Sequence, residues 1–90
     1  MKDRDLETYC EHIESAFFRL KGRPGTLPPS DFALTKTWFQ AGWPLEAVLD
    51  GIAEAFDSHD AGRARGATEV NSLGFCESFV ERVIDRRRNF

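Results

Sequence analysis

The stretch WFQAGWPLEAVLDGIAEAF, Trp38 to Phe56, is the part of the sequence that best predicts the fold. Gly42 is typical of a helix end, and Pro44 suits the first position of the next helix. The residues after Pro44 place apolar side chains on one helical face: Leu45, Val48, Leu49, Ile52, Ala55 and Phe56. We therefore predict two helices, about 31–41 and 44–57, joined by a tight turn as a hairpin.

The same layout occurs in DNA-reading helix-turn-helix units, in which the second helix enters the major groove. Here that helix would bring four carboxylates and no basic residue towards the phosphates: Glu46, Asp50, Glu54 and Asp57. Trp38 is also large for its place four residues before the turn glycine. We interpret the stretch as a structural hairpin, with the carboxylates on a solvated face.

Helical patterning covers the two ends of the chain as well. The first helix, residues 3–21, is expected to stop at Gly22, and its apolar stripe comprises Leu6, Cys10, Ile13, Phe17 and Leu20. The last helix, residues 72–87, has an apolar stripe of Leu73, Cys76, Phe79 or Val80, Val83 and Ile84. The stretch 58–71 has no apolar period, which predicts a mobile surface loop. The expected fold is all-α: one small domain, residues 1–90, of four helices around an aromatic-rich core.

Three details of this fold can be tested. We expect Ser30 to cap the second helix. Its inward face is expected to comprise Phe32, Thr35, Trp38 and Phe39 or Gly42. Gly51 lies within the third helix, where glycine costs about 1 kcal/mol relative to alanine. Its presence there predicts the close approach of a neighbouring helix.

Composition narrows the class of protein. The chain has 90 residues, 41% of them hydrophobic, and a formal net charge of −3. It has no apolar run of the roughly 20 residues needed to span a membrane, and its first residues are too charged for a secretory signal. Two cysteines do not make a disulfide framework. We expect a cytoplasmic protein with free thiols and no membrane partner.

Candidate chemistry is sparse. A di-iron bundle needs Glu-x-x-His motifs, but Tyr9 and Phe56 stand three residues before the two histidines, His12 and His59. The segment DSHD, residues 57–60, is interpreted as an exposed helix end. Cys10 and Cys76 lie on apolar stripes, which predicts buried thiols, with a redox disulfide between them as the alternative. We expect no enzymatic activity, no metal and no cofactor.

Charge is distributed unevenly and suggests a possible nucleic-acid contact. Residues 1–60 hold six basic and eleven acidic side chains, whereas residues 61–90 hold six basic and four acidic ones. The C-terminal basic set comprises Arg63, Arg65, Arg82, Arg86, Arg87 and Arg88. Lys and Arg side chains bind nucleic-acid phosphates. Interleaved Glu77, Glu81 and Asp85 favour instead a solvated helix end.

Two aromatic residues are candidate anchors for a protein partner. Phe18 stands beside the main stripe of the first helix, and Trp43 lies in the turn. Large aromatic side chains often dominate binding energy at interfaces. The alternative for Trp43 is that it packs onto the first turns of the helix that follows it.

From Asp31 to Ile84 the chain shows a helix with Trp38, a Gly-x-Pro turn, LEAVLDGIAEAF, a polar loop and SLGFCESFVERVI. This pattern resembles the C-terminal helical domain of DnaD-like primosomal proteins, with Phe75, Phe79 and Val83 at the family's spacings. The resemblance implies DNA contact near the last helix and the tail after it. The pattern is also similar to small uncharacterised bacterial helical domains, for which no activity is implied.

Two functions therefore stay open. The first is a non-enzymatic interaction module that meets a protein partner or a second copy of itself through an apolar groove or edge. The alternative is a DNA-binding accessory domain of the DnaD-like type that uses the C-terminal arginines.

Overall fold

A computed structural model describes residues 2–62 and 72–88 of the chain. The described residues form α1 (Lys2–Lys21), α2 (Pro29–Gln40), α3 (Leu45–Gly62), a short 3-10 helix (Leu73–Cys76) and α4 (Glu77–Arg88). These parts contain no strand, and the predicted all-α fold of four helices is confirmed. None of their helices is both long and apolar enough to cross a membrane.

The helices enclose one core. α3 packs most extensively along α4, and α1 packs against both α2 and α3. The 3-10 helix contacts α2, α3 and α4 and so joins the two halves of the molecule. Aromatic rings are prominent in this core: Phe17 meets Phe56 edge-on at 5.6 Å between ring centroids, and Trp38 is 2% exposed.

The turn between α2 and α3 forms as the sequence predicts. Gly42 has a φ of +78°, a left-handed conformation that glycine adopts without steric cost. The Gly42 N–H donates to the Phe39 carbonyl, and the Trp43 N–H donates to the Trp38 carbonyl. The Trp38 and Trp43 rings stack at 6.2 Å, the apolar contact that often accompanies this helix ending. α1 ends in the same way at Gly22.

Gly51 is the point of closest approach between α3 and α4. A Cβ atom at this position would lie 2.5 Å from the Val80 Cα and 2.8 Å from the Val80 backbone nitrogen. No side chain fits at that distance. The predicted close approach is confirmed, and the structure identifies the neighbour as α4.

Three helix boundaries differ from the prediction. The predicted fourth helix, 72–87, begins as the 3-10 helix Leu73–Cys76, and α4 itself starts at Glu77. α2 begins at Pro29, because a proline is favoured at the first helical position, so Ser30 lies inside the helix and caps nothing. α3 continues to Gly62, five residues past its predicted end. The ring of His59 packs edge-on against Phe75 at 5.9 Å, and this tertiary contact supports the extension. The rest of the predicted loop, 63–71, lies outside the described residues.

The inward face of α2 also differs from the prediction. Asp31, Thr35 and Trp38 are buried, whereas Phe32 is 46% exposed. The Leu73 N–H donates to Asp31 Oδ2 at 3.0 Å, so the carboxylate satisfies a buried backbone donor at the start of the 3-10 helix. Asp31 takes the inward position because of this bond, and Phe32, one residue further round the helix, faces outward.

Candidate functional site

An open groove of about 590 Å³ runs between α1 and α2. Four apolar side chains line it, and four charged ones stand along it: Leu6, Cys10, Leu27 and Phe32, then Glu7, Glu11, Glu14 and Lys36. Seven of these residues belong to the two helices, and Leu27 comes from the segment that connects them. The groove is therefore built on rigid elements.

Phe32 is the most prominent apolar residue of the groove. It lies in the first turns of α2 and is 46% exposed, although phenylalanine is usually buried in proteins. The sequence pattern predicted that Phe32 lies in the core and did not place it in a groove. Once Asp31, Thr35 and Trp38 occupy the inward face, the rotation of α2 leaves Phe32 beside α1.

The α1 edge of the groove is acidic. Glu7, Glu11 and Glu14 are spaced at four and three residues, so their carboxylates share one side of the helix. Glu7 and Glu11 are exposed. Glu14 is half-buried, and its Oε2 accepts a hydrogen bond of 3.0 Å from the Leu27 N–H, which ties the connecting segment to α1. Among the described residues that line the groove, Lys36 is the cation.

The thiol of Cys10 forms part of the groove wall. Burial, with a smaller contribution from Glu14, raises the pKa of Cys10 above its ordinary value. Burial and the neighbouring Asp31 raise the pKa of Cys76 to about 12. Both cysteines are free and buried, as predicted from their places on apolar stripes. The thiolate is the nucleophilic form, so neither site favours thiol chemistry at neutral pH.

The predicted arginines have different surroundings. Arg86 pairs with Glu54, and Arg87 lies 3.3 Å from Glu46 and 3.7 Å from Asp50. Glu46, Asp50 and Glu54 stay on a solvated face, as predicted, with 42% or more of each side chain exposed, and they pair there with the end of α4. Arg63 and Arg65 lie outside the described residues.

Arg82 and Arg88 lie apart from these ion pairs. The Arg82 guanidinium stands over the Phe79 ring at 4.6 Å from its centroid. Phe79 is in turn 6.1 Å from Phe75, which is 43% exposed. Arg88 lines a small cavity of about 190 Å³ beside the turn. Phe75, Phe79 and Arg82 form a second exposed surface, here called the aromatic patch.

The two predicted anchors are engaged within the chain. Phe18 meets Phe17 edge-on at 5.2 Å and covers Gly25, where an added Cβ would lie 2.7 Å from the Phe18 ring. The Trp43 ring stacks on Trp38. The backbone carbonyl of Trp43 accepts a hydrogen bond of 2.9 Å from the Tyr9 hydroxyl. Both side chains are half-buried, and neither lines the groove.

Within 2–62 and 72–88, no group of three or more His, Cys, Asp or Glu side chains is arranged to hold a metal ion. Asp57 and His59 of the DSHD segment lie on the last turns of α3, with the His59 ring against Phe75. The side chain of Asp60 lies outside the described residues.

The fold and the groove define a small all-α protein with an apolar, partly acidic surface between two helices. Residues 8–89 match the model of a family described as "Uncharacterised protein", and the chain belongs to that family. This agrees with the resemblance to small uncharacterised helical domains and gives no support to the DnaD-like resemblance. No curated protein and no solved structure matches the chain.

Proposed function

We propose that this protein is a non-enzymatic interaction module that receives a helical segment of another protein in the groove between α1 and α2. The observation that carries the proposal is the exposure of Phe32, 46%, beside Leu6 and Cys10 on the facing helix. Large apolar side chains gathered at a concave surface are typical of protein interfaces.

The shape of the groove favours a helix as the occupant. Two helices form its long walls, and Leu27 contributes from the segment that joins them. An amphipathic helix that lies in such a groove contributes apolar anchors one turn apart, a common mode of peptide recognition. Burying apolar surface contributes about 25 cal/mol per Å², so covering the Phe32 ring gives a partner a substantial part of its affinity.

The surroundings of the titratable groups support a non-enzymatic role. A nucleophilic cysteine needs a lowered pKa and a positioned base, whereas the pKa values of Cys10 and Cys76 are both raised. His59 packs against the Phe75 ring. The groove combines apolar side chains with carboxylates on one edge, a composition suited to binding.

Site-directed photo-crosslinking tests the proposal. A photoreactive phenylalanine analogue would replace Phe32, and a matched control would carry it at Ala53, an exposed position on α3. We expect position 32 alone to yield one defined adduct, whose partner is identified by mass spectrometry and binds again when purified. Phe32→Ser should weaken that binding at least about tenfold, as for a central anchor. Equal adducts at both positions, or none at position 32, would contradict the proposal.

The aromatic patch supports a second candidate function, a DNA-binding accessory domain of the DnaD-like type. Exposed aromatic rings next to arginine are typical of single-strand binding, because bases stack on the rings. Phe75 is exposed, and Arg82 stands over the neighbouring ring of Phe79. Arg86 and Arg87 are less suited to this role, since carboxylates of α3 already pair with them.

Fluorescence anisotropy with labelled single-stranded and duplex DNA, at about 50 mM salt, tests this second candidate. Binding that falls with added salt and is lost in Phe75→Ala and Arg82→Ala would support the patch. Loss in a variant with alanine at positions 86, 87 and 88, but not in Phe75→Ala, would assign the contact to the helix end instead. No binding at low salt would refute both versions, because phosphate contacts are strongest there.

A further inference from the structure

We infer that the occupant of the groove is a basic amphipathic helix, with its Lys or Arg residues against α1 and its apolar side chains against Phe32. This inference rests on the proposed function, because it specifies the partner of the same groove. The observation that carries it is the charge of the groove, in which glutamates line the α1 wall and a lysine stands on the α2 wall, so a basic flank on the partner complements α1.

The apolar part of the groove sets the spacing of the anchors. Leu6 and Cys10 are four residues apart on α1, hence one helical turn, and Phe32 faces them from α2. An occupant with two aliphatic or aromatic residues at positions i and i+4 places both side chains along this strip. Leu27, which is half-buried, marks the strip's boundary on the side of the connecting segment.

The charged part sets the sign of the partner. Glu7, Glu11 and Glu14 follow the α1 edge over two turns, about 10 Å at 1.5 Å per residue. A helix that carries Lys or Arg at i and i+4 beside its anchors brings cations opposite Glu7 and Glu11, both exposed. Lys36 stands on the α2 wall, so the same helix fits best with an acidic or neutral residue on that side. Because the two walls differ in charge, the occupant helix is expected to bind in one orientation along the groove.

A second copy of this chain fits the groove less well. In a symmetric dimer whose two-fold axis crosses the groove, the two α1 edges face each other, and Glu7 and Glu11 lie near the carboxylates of the second copy. Like charges at an interface oppose association. The chain also has a net charge of −3. The repulsion between the acidic edges and the net negative charge of the chain both favour a basic partner over self-association.

A displayed library of 14-residue helical peptides, selected against the whole protein and counter-selected with Phe32→Ser, tests the inference. We expect the recovered peptides to share two apolar residues four apart and a net positive charge on one flank. In the binding assay, Glu7→Gln with Glu11→Gln should weaken a recovered peptide by about tenfold and flatten its salt dependence. Glu77→Gln with Glu81→Gln, the same change at two exposed positions four residues apart on α4 outside the groove, is the matched control and should leave binding unchanged.

The outcomes separate this inference from the proposed function. Neutral or acidic peptides that still depend on Phe32, or affinities unaffected by the two Glu→Gln changes, would overturn the basic partner and leave the groove as a docking site. A dimer of the wild-type chain in sedimentation equilibrium that Phe32→Ser dissociates would replace the partner with a second copy. No Phe32-dependent peptide, together with no crosslinked partner from position 32, would overturn both.

Discussion

The two halves of the molecule use the same kind of helix in different ways. α3 and α4 touch at Gly51 and Val80 with no room for a Cβ atom, and ion pairs line their outer edge. α1 and α2 instead leave an open groove in which Phe32 stays half in water. The comparison teaches that Arg86 and Arg87, two of the arginines suggested as a nucleic-acid site, lie in the closed half, whereas the proposed docking groove lies in the open half.

The largest expected effect comes from Gly51→Ala. The new methyl group would displace Val80 backbone atoms, and relieving this overlap should cost about 3 kcal/mol even after the gain of about 1 kcal/mol in helix propensity. Urea unfolding measures the loss. Gly74→Ala is the control, since its Cβ would meet only Ser72 Oγ, at 3.4 Å. A Gly51→Ala variant as stable as the wild type would show that the halves do not differ in packing.

The same substitution, phenylalanine to alanine, can be made at a buried and at an exposed position to compare the two halves. Phe56→Ala should cost about 3 kcal/mol, because this side chain is 7% exposed and packs on Phe17. Phe32→Ala should change stability by less than about 0.5 kcal/mol, as expected of a surface side chain. Thermal unfolding of both variants checks the contrast. Similar losses would mean that Phe32 belongs to the core and the groove is not a free surface.

Asp31 links the halves, and its removal should be costly. Asp31→Ala leaves the buried Leu73 N–H without its acceptor and should lose about 2 kcal/mol. Asp31→Asn keeps an acceptor at the same place and should lose less. Hydrogen exchange at the Leu73 amide gives a local readout, with faster exchange expected in the alanine variant. Equal losses in the two variants would show that the hydrogen bond contributes little.

Alkaline pH should destabilise the fold. Cys76, with its pKa raised to about 12, keeps its proton in the folded state between about pH 9 and 12, where the unfolded chain releases it. The folded state then binds more protons, so stability is full below about pH 9 and falls as pH rises, by up to about 1.4 kcal/mol per pH unit per group.

The pKa values of Tyr9 and Cys10 are raised as well, and these groups act in the same direction. Urea unfolding from pH 7 to 11 measures the decline. Cys76→Ala should flatten it more than Cys10→Ala, since burial and the nearby Asp31 carboxylate hold the Cys76 thiol protonated. A stability that rises between pH 9 and 11 would contradict the prediction.

Among the contacts that hold the fold together, the smallest expected effect belongs to the ion pairs of the closed half. Arg87 and its partners are exposed, so Arg87→Ala should cost less than about 1 kcal/mol, and less still at high salt. Arg88→Ala is the neighbouring control. A double-mutant cycle between Arg87 and Glu46 isolates the pair, and a coupling of several kcal/mol would mean that these charges do more than flank the interface.

Much of the fold could be predicted from local patterns in the sequence. The helix stops at Gly22 and Gly42, the stripe on α3 and the need for a close neighbour at Gly51 all follow from short-range sterics and a 3.6-residue period. The stripe on α1 was predicted in part, because its last residue, Leu20, is 43% exposed. The end of α3 could not be predicted in this way. Residues 58–62 have no apolar period, and their helix is supported by the contact of His59 with Phe75, far away in the chain.

The candidate site was harder to predict. The exposed glutamates of α1 were visible in the sequence, but Phe32 was assigned to the core because an apolar residue at helical spacing usually lies there. A signal was present in Asp31, which lies four residues before Thr35 and seven before Trp38 and so shares their helical face. Its partner is the backbone N–H of Leu73, which no side-chain pattern can reveal.

The sequence alone determined the class of fold, the turn between α2 and α3 and the buried character of both thiols, because each depends on neighbours within a turn or two of helix. Only the tertiary structure decided which face of α2 is buried, that α4 is the helix meeting Gly51, and that Arg86 and Arg87 meet carboxylates of α3. These outcomes depend on how whole helices rotate and cross, and that is set by the sum of contacts between residues distant in the chain.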